Sequence, residues 1–175
     1  MGRGTHVPAF WRWKGKLGEG VDIPALTAHI DLYKTFCELT GTEIPSDVQP
    51  IDGRSLLPLL RDPDADWADR NLFVHVGRWE KGADPNDSKF KSCGVRSQRW
   101  RFVNNKELYD IATDPHEKQD VASEHPEVVA ELRKAYDQWW SDTVPLMVNE
   151  DAPYAAEHPQ GVRYERQLKE RGIPK

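Results

Sequence analysis

Cysteine is scarce: the 175 residues contain two, Cys37 and Cys93. One falls in a predicted helix and the other in a predicted strand, so they read as two buried thiols rather than as a disulfide. Long apolar runs are missing as well. No stretch approaches the roughly 20 residues that a membrane span needs, and the opening MGRGTHVPAFW lacks the apolar core of a signal peptide. Neither sign of charge dominates, since 24 basic and 29 acidic residues leave a net charge of −5 with both signs interspersed. Nothing therefore recommends nucleic acid as a partner. Internal repeats and low-complexity tracts are absent, and neither G-x-S-x-G nor a phosphate loop occurs. His116, His125 and His158 have no metal-ligand spacing with one another or with carboxylates and read as solvated. His29 belongs to core or surface.

What is present suffices for a core: 38% hydrophobic residues, seven of the residues being tryptophan. The chain is organised around residues 96–140. Trp100, Phe102, Leu108 and Tyr109 stand at strand-like positions on either side of Asn104-Asn105, a pair that tolerates the positive φ of a tight turn, which predicts a hairpin. The second strand stops at Asp114-Pro115, and a polar loop follows. Ser123 or His125 as cap, Pro126 in the first turn and Glu127 near the positive end of the dipole mark the start of a helix. Val128, Leu132, Ala135, Tyr136 and Trp139 then form one helical face that needs a sheet to cover. Residues 71–76 and 90–96 supply two further strands, joined by a glycine- and charge-rich loop.

Upstream, residues 5–13 alternate Val7, Ala9, Trp11 and Trp13 against Pro8, Phe10 and Arg12, predicting a largely buried strand closed by Gly15, Gly18 and Gly20. Residues 23–40 read as a helix, capped by Thr27 and stopped by Gly41, with Ile30, Tyr33, Cys37 and Leu26 on its buried face. A loop covers 42–50, a short helical turn 52–60, and a polar linker 61–69. One strand and one helix do not make a domain, so this portion reads as the end of a larger α/β unit. The fold class is thus α+β: a C-terminal four-stranded antiparallel sheet covered by one long helix, preceded by the last βα portion of an incomplete α/β domain. The expected divisions are 1–62, 67–148 and a surface tail at 149–175, anchored by Tyr154, Tyr164 and Leu168.

The central stretch also resembles a known family. A paired strand ending in ELYD (Glu107 to Asp110), a loop of the form D-P-x-E (Asp114-Pro115-His116-Glu117) and a helix ending in tryptophans are similar to the C-terminal portion of the sulfatases, of the alkaline-phosphatase-like superfamily. Gly4-Thr5-His6-Val7-Pro8 with Phe10-Trp11-Arg12-Trp13 resembles the family's G-G-x-R-V-P…RWPG strand. His29 to Thr35 resembles its x-x-D-L-Y-P-T helix, and Asp52 to Leu60 its D-G-x-S-L-x-P-L-L element. Lys14 and Lys34 stand where the family has proline, and His6 where arginine is common. The resemblance implies a hydrolase of sulfate esters, periplasmic or secreted, that uses calcium and a formylglycine made from C/S-x-P-S-R, with lysine and histidine completing the pocket.

None of that catalytic inventory maps onto this chain. There is no C/S-x-P-S-R; Cys37 sits in CELTG and Cys93 in CGVRS. No catalytic residue and no metal ligand is therefore assigned, and the chain alone is expected to be inactive. The implied partners are an N-terminal catalytic portion or a second copy of the chain, and a sulfated sugar or aryl sulfate in the complete protein. The candidate substrate-binding residues are His75, Arg78 and Trp79: a charge for the anion and a flat face for the ring. Against this stands a structural reading of His75 as a strand histidine bonded to backbone. Asn86-Asp87-Ser88 matches a glycosylation sequon, a short pattern that recurs by chance. The alternative function is a stand-alone carbohydrate- or protein-binding module without catalysis.

Two physical expectations follow. Residues 67–144 form the more stable unit. The face that Val7, Trp11 and the 27–40 helix turn toward an absent sheet is apolar and sticky, so that Trp11→Asp reduces association.

Overall fold

The computed structural model describes residues 7–47, 50–80, 82–147 and 159–172. In chain order its elements are α1 (Asp31–Thr40), α2 (Leu57–Arg61), β1 (Leu72–His75), β2 (Cys93–Arg96), β3 (Trp100–Val103), β4 (Glu107–Asp110), α3 (Pro126–Met147) and α4 (Pro159–Arg171). The strands form one antiparallel sheet in the order β1-β2-β3-β4, with Phe73 opposite Val95, Val95 opposite Phe102 and Phe102 opposite Leu108. Among the described residues no helix is long and apolar enough to cross a membrane.

The hairpin turns where the sequence places it. Asn104 and Asn105 adopt φ of 49° and 58°, the left-handed values that a two-residue turn matched to strand twist requires. Asn104 also ties the turn to its neighbour, its Oδ1 accepting the Cys93 N–H at 3.0 Å. Alternation along the strands sends Cys93, Val95, Phe102 and Leu108 to one face, where Leu132, Tyr136 and Trp140 of α3 complete the core. The buried helical positions are i, i+4 and i+8, so Trp140, rather than the expected Trp139, takes the last inward place. Trp139 stacks at the margin on Phe73, 5.2 Å between ring centres. Pro126 opens α3 at its first position.

The upstream portion departs from expectation. Residues 7–13 form no strand, and residues 5–6 lie outside the described set. An extended segment becomes a strand only when a neighbour takes its backbone hydrogen bonds, and here the segment ends in a turn in which Lys16 and Leu17 donate to the Trp13 carbonyl. Trp11 rests on Phe36 at 5.9 Å, while Phe10 is 93% exposed.

α1 begins at Asp31 rather than at residue 23, because the backbone before it is bonded sideways. Leu26 N–H donates to Gln98 Oε1 at 2.6 Å, and the Pro24 and Leu26 carbonyls accept from Gln98 Nε2 (2.9 Å) and Trp67 Nε1 (3.0 Å). Thr27 does not cap the helix; the cap position is Ile30 and carries no side-chain hydrogen bond. Gly41 stops it as predicted, at φ 70°.

The helix is also turned over. Asp31 and Thr35 are its buried residues, and Ile30 and Tyr33, expected inside, are exposed. The reason is polar. Asp31 accepts from the N–H groups of Ala28 (2.7 Å) and Arg54 (2.8 Å) and from both terminal nitrogens of Arg70. Thr35 donates to the Asp31 carbonyl at 2.7 Å and accepts from Leu56 N–H at 2.9 Å. A buried carboxylate so fully bonded fixes which side of the helix faces inward. Gly53 lies in the same joint: a Cβ there would fall 2.0 Å from the Ile30 carbonyl oxygen.

α4 is helical where a surface tail was expected, and its described side chains are exposed throughout. Tyr164 and Leu168, the expected anchors, are 63% and 37% exposed, and Tyr154 lies outside the described residues.

Candidate functional site

His75 ends β1, and both of its ring nitrogens face backbone. Nε2 lies 2.9 Å from the Ser88 carbonyl, which can only accept, so Nε2 is the donor; Nδ1 accepts the Gly77 N–H at 2.8 Å. The imidazole thus clasps both ends of the loop between β1 and β2. Gly77 makes this possible by turning back at φ 61°. Trp140 of α3 completes the corner. Its ring meets His75 edge-on at 4.8 Å and Trp79 edge-on at 6.4 Å, and its Nε1 donates to Asn86 Oδ1 at 3.0 Å.

The structure therefore brings together His75 and Trp79, and adds Trp140 and Asn86, which the sequence reading did not place there. The adjacent Trp139-Trp140 pair was the available signal, since a helical face can bury both. Arg78, between His75 and Trp79 in sequence, is exposed. His75 is positioned to hold the loop, Trp79 to offer a partly buried indole, and Arg78 to offer an exposed cation. The sequon lies in the same loop within a short 3₁₀ turn: Asp84 Oδ1 accepts from Asn86 Nδ2 at 2.9 Å and Ser88 is buried.

Beneath the loop, Tyr136 Oη donates to the Lys89 carbonyl at 2.5 Å, and Lys89 pairs with Asp137 at 2.6 Å. Burial pushes the Tyr136 hydroxyl and the neighbouring Cys93 thiol to higher pKa. Cys93 is accordingly a packing residue and a poor nucleophile. Both cysteines are free thiols, Cys93 buried and Cys37 half-buried.

The acidic residues from Asp110 to Asp120 act on their own loop. Asp110 pairs with Arg99, whose guanidinium holds the carboxyl below its ordinary range. Asp114 Oδ2 accepts the N–H groups of Gln119 (2.8 Å) and Lys118 (2.5 Å), which lower it in the same way. Glu117, at φ 54°, reaches Arg101 on β3. Asp120 Oδ1 takes the Leu108 N–H at 3.0 Å while Val121 N–H donates to the Leu108 carbonyl at 2.9 Å, so this segment closes the outer edge of β4. The D-P-H-E sequence is thus a loop-to-sheet clamp. Among the described residues no three of His, Cys, Asp and Glu gather where they could hold a metal ion. The carboxylates of this loop are taken up by arginines and backbone N–H groups and do not converge as the calcium ligands that the resemblance implies.

Comparison with known proteins agrees with this architecture. The family model described as N-sulphoglucosamine sulphohydrolase, C-terminal, matches residues 2–141. An N-acetylgalactosamine-6-O-sulfatase of Bacteroides thetaiotaomicron is 30% identical over 139 residues, 74% of this chain and 26% of that protein. Arylsulfatase K of Rattus norvegicus is 27% identical over 139 residues, 73% of this chain and 23% of that one. The chain thus spans about a quarter of the length of these curated relatives. The crystal structure of Ps i-CgsB in complex with k-i-k-neocarrahexaose shares the fold, at a TM-score of 0.51 and 21% identity over 81% of this chain and 29% of that one. A match over most of the chain, with the ELYD strand and the D-P-H-E clamp built as a unit, means that this chain belongs to the sulfatase family and corresponds to its C-terminal portion.

Proposed function

We propose that the chain is the C-terminal portion of a sulfuric ester hydrolase acting on a sulfated sugar or aryl sulfate, and that it supplies one edge of the substrate cleft. The observation that carries this reading is the family match over residues 2–141. Sulfate-ester hydrolysis needs a nucleophile, a cationic group for the sulfate oxygens and a proton donor. In this reading the nucleophile, formylglycine, and the calcium ligands belong to a catalytic portion that partners this chain. The chain contributes recognition: Arg78 for the anion, Trp79 for the flat face of a ring, and His75 to hold the loop that presents them.

Two measurements test it. The purified chain, assayed with a chromogenic aryl sulfate with and without calcium, gives no turnover above background; turnover that survives repurification overturns the division of labour. An NMR titration with N-acetylgalactosamine 6-sulfate shifts the Trp79 indole N–H and the Arg78 amide, and Arg78→Ala removes the response. Equal shifts with the unsulfated sugar would remove the anion from the proposal.

A further inference from the structure

His75 fastens the connection between β1 and β2 with a ring that, when neutral, has one hydrogen to give. The Ser88 carbonyl can only accept, so Nε2 carries that hydrogen, and the Gly77 N–H can only donate, so Nδ1 must keep its lone pair. One tautomer of the neutral imidazole satisfies both bonds, and no other protonation state does. A second proton would sit on Nδ1 and set two N–H groups against each other across 2.8 Å. The bond to Ser88 survives that change, because a charged ring donates more strongly. The bond to Gly77 cannot.

The groups packed around the ring do not take up a second N–H. Cys93 stands opposite His75 in the strand pair, and α3 brings Trp140 against it, with Tyr136 one turn earlier. The Trp140 N–H is committed to Asn86, while burial raises both the Cys93 thiol and the Tyr136 hydroxyl and so keeps them neutral. Within the loop, Asp84 accepts from the backbone and side-chain N–H groups of Asn86, and Lys89 pairs with Asp137 of α3. Arg78, Glu80 and Asp87 are exposed. Among the described residues no ion pair includes His75.

We infer that His75 is an acid-operated latch: its neutral ring fastens the start of the loop to β1, and on the acid side of neutrality, where histidine takes a second proton, Gly77 is released while Ser88 stays bound. Gly77 turns back at φ 61°, a conformation that glycine leaves as readily as it enters. Trp79 follows two residues later, so the release loosens the segment that sets this indole edge-on to Trp140. The latch is a property of the loop itself and does not depend on the proposed sulfate chemistry.

An NMR titration of the full chain from about pH 7.5 to about pH 5.5, above the range in which carboxylates titrate, tests it. As the ring nitrogen shifts of His75 report protonation, the protection of the Gly77 amide, corrected for its intrinsic exchange rate at each pH, falls about tenfold, the equivalent of one net hydrogen bond. The Trp79 indole N–H shifts on the same curve, and the Phe102 and Leu108 amides keep their protection. His75→Asn, whose side-chain oxygen is a non-titrating acceptor near the Nδ1 position, abolishes the response. Should that variant fail to fold, the wild type decides alone, since the Gly77 and ring titrations then share one midpoint. A ring that protonates while Gly77 stays protected overturns the inference, as does a ring that remains neutral throughout the titration. A loss of protection that Phe102 shares, or one that persists in His75→Asn, places the response elsewhere and overturns it too.

Discussion

Arg70 grips both carboxylate oxygens of Asp31, across 39 positions of sequence, in a joint where the two side chains are 7% and 0% exposed. Trp67 lies against the guanidiniums of Arg70 (5.9 Å) and Arg54 (5.6 Å), which shields the pair from water. This ion pair fastens α1 to the chain that leads into β1.

Removing one partner leaves the other charged and buried. Arg70→Met is therefore expected to destabilise the protein by about 3–5 kcal/mol. Urea unfolding followed by tryptophan fluorescence measures it; a loss below about 1 kcal/mol, the range of a surface pair, would mean that the joint is wetter than its burial implies.

The same joint predicts acid sensitivity. Burial pushes the Asp31 carboxyl up, but the hydrogen bonds from Arg70 and from the Arg54 and Ala28 N–H groups outweigh it and hold the carboxyl below its ordinary 3.8. A carboxyl depressed in the folded state contributes stability that is fully present above its unfolded value and lost as pH falls through the folded one. The contribution is thus intact from neutrality to about pH 5, begins to fall near the unfolded value of about 4, and is gone only below the depressed folded value. Asp110 adds a smaller share in the same direction, since Arg99 is 56% exposed. Urea midpoints between pH 7 and pH 3 should fall steeply in the wild type and more gently in Asp31→Asn; parallel curves would exclude Asp31 as the source.

Gly53 and Gly94 separate steric overlap from ordinary van der Waals contact. An added Cβ at Gly53 meets the Ile30 carbonyl oxygen at 2.0 Å, backbone against backbone, whereas at Gly94 the nearest atom is the Phe102 carbonyl oxygen at 3.4 Å. Gly53→Ala is expected to cost on the order of 3 kcal/mol. Gly94→Ala should stay within about 1 kcal/mol of wild type. Comparable thermal shifts for the two variants would contradict this reading of the α1 joint.

Hydrogen exchange should rank the chain. The β3 and β4 amides, paired and backed by α3, are the slow set, and residues 7–13, without strand partners, are the fast set. Slower exchange at Val7 than at Phe102 would reverse the order.

The sheet and its helix were legible in the sequence because their signals are local. Asn104-Asn105, the alternation through Phe102 and Leu108, and the first-turn proline Pro126 each act within a few residues. α1 was misread for the opposite reason. Its apolar spacing is real, but the inward side is chosen by Arg70 and the Arg54 N–H, distant partners that no periodicity reports. The strand expected at 5–13 is not formed over its described residues, 7–13, since strands exist by pairing. At the candidate site, the backbone anchoring of His75 was one of the two readings on offer, whereas the Trp140 hydrogen bond to Asn86 joins two segments that only the folded chain brings together.

The strictly sequential order of the sheet has a kinetic meaning. Every strand pairs with its immediate neighbour in the chain, with no crossover to thread, so few long loops must close before native contacts reward the search. The meander from Leu72 to Asp110 can zip in the order of its synthesis, and α3, made next, arrives with its apolar stripe facing a sheet already in register. Collapse in this region should be an early event, with the Asp31–Arg70 joint drawn in afterwards onto a scaffold that has already formed.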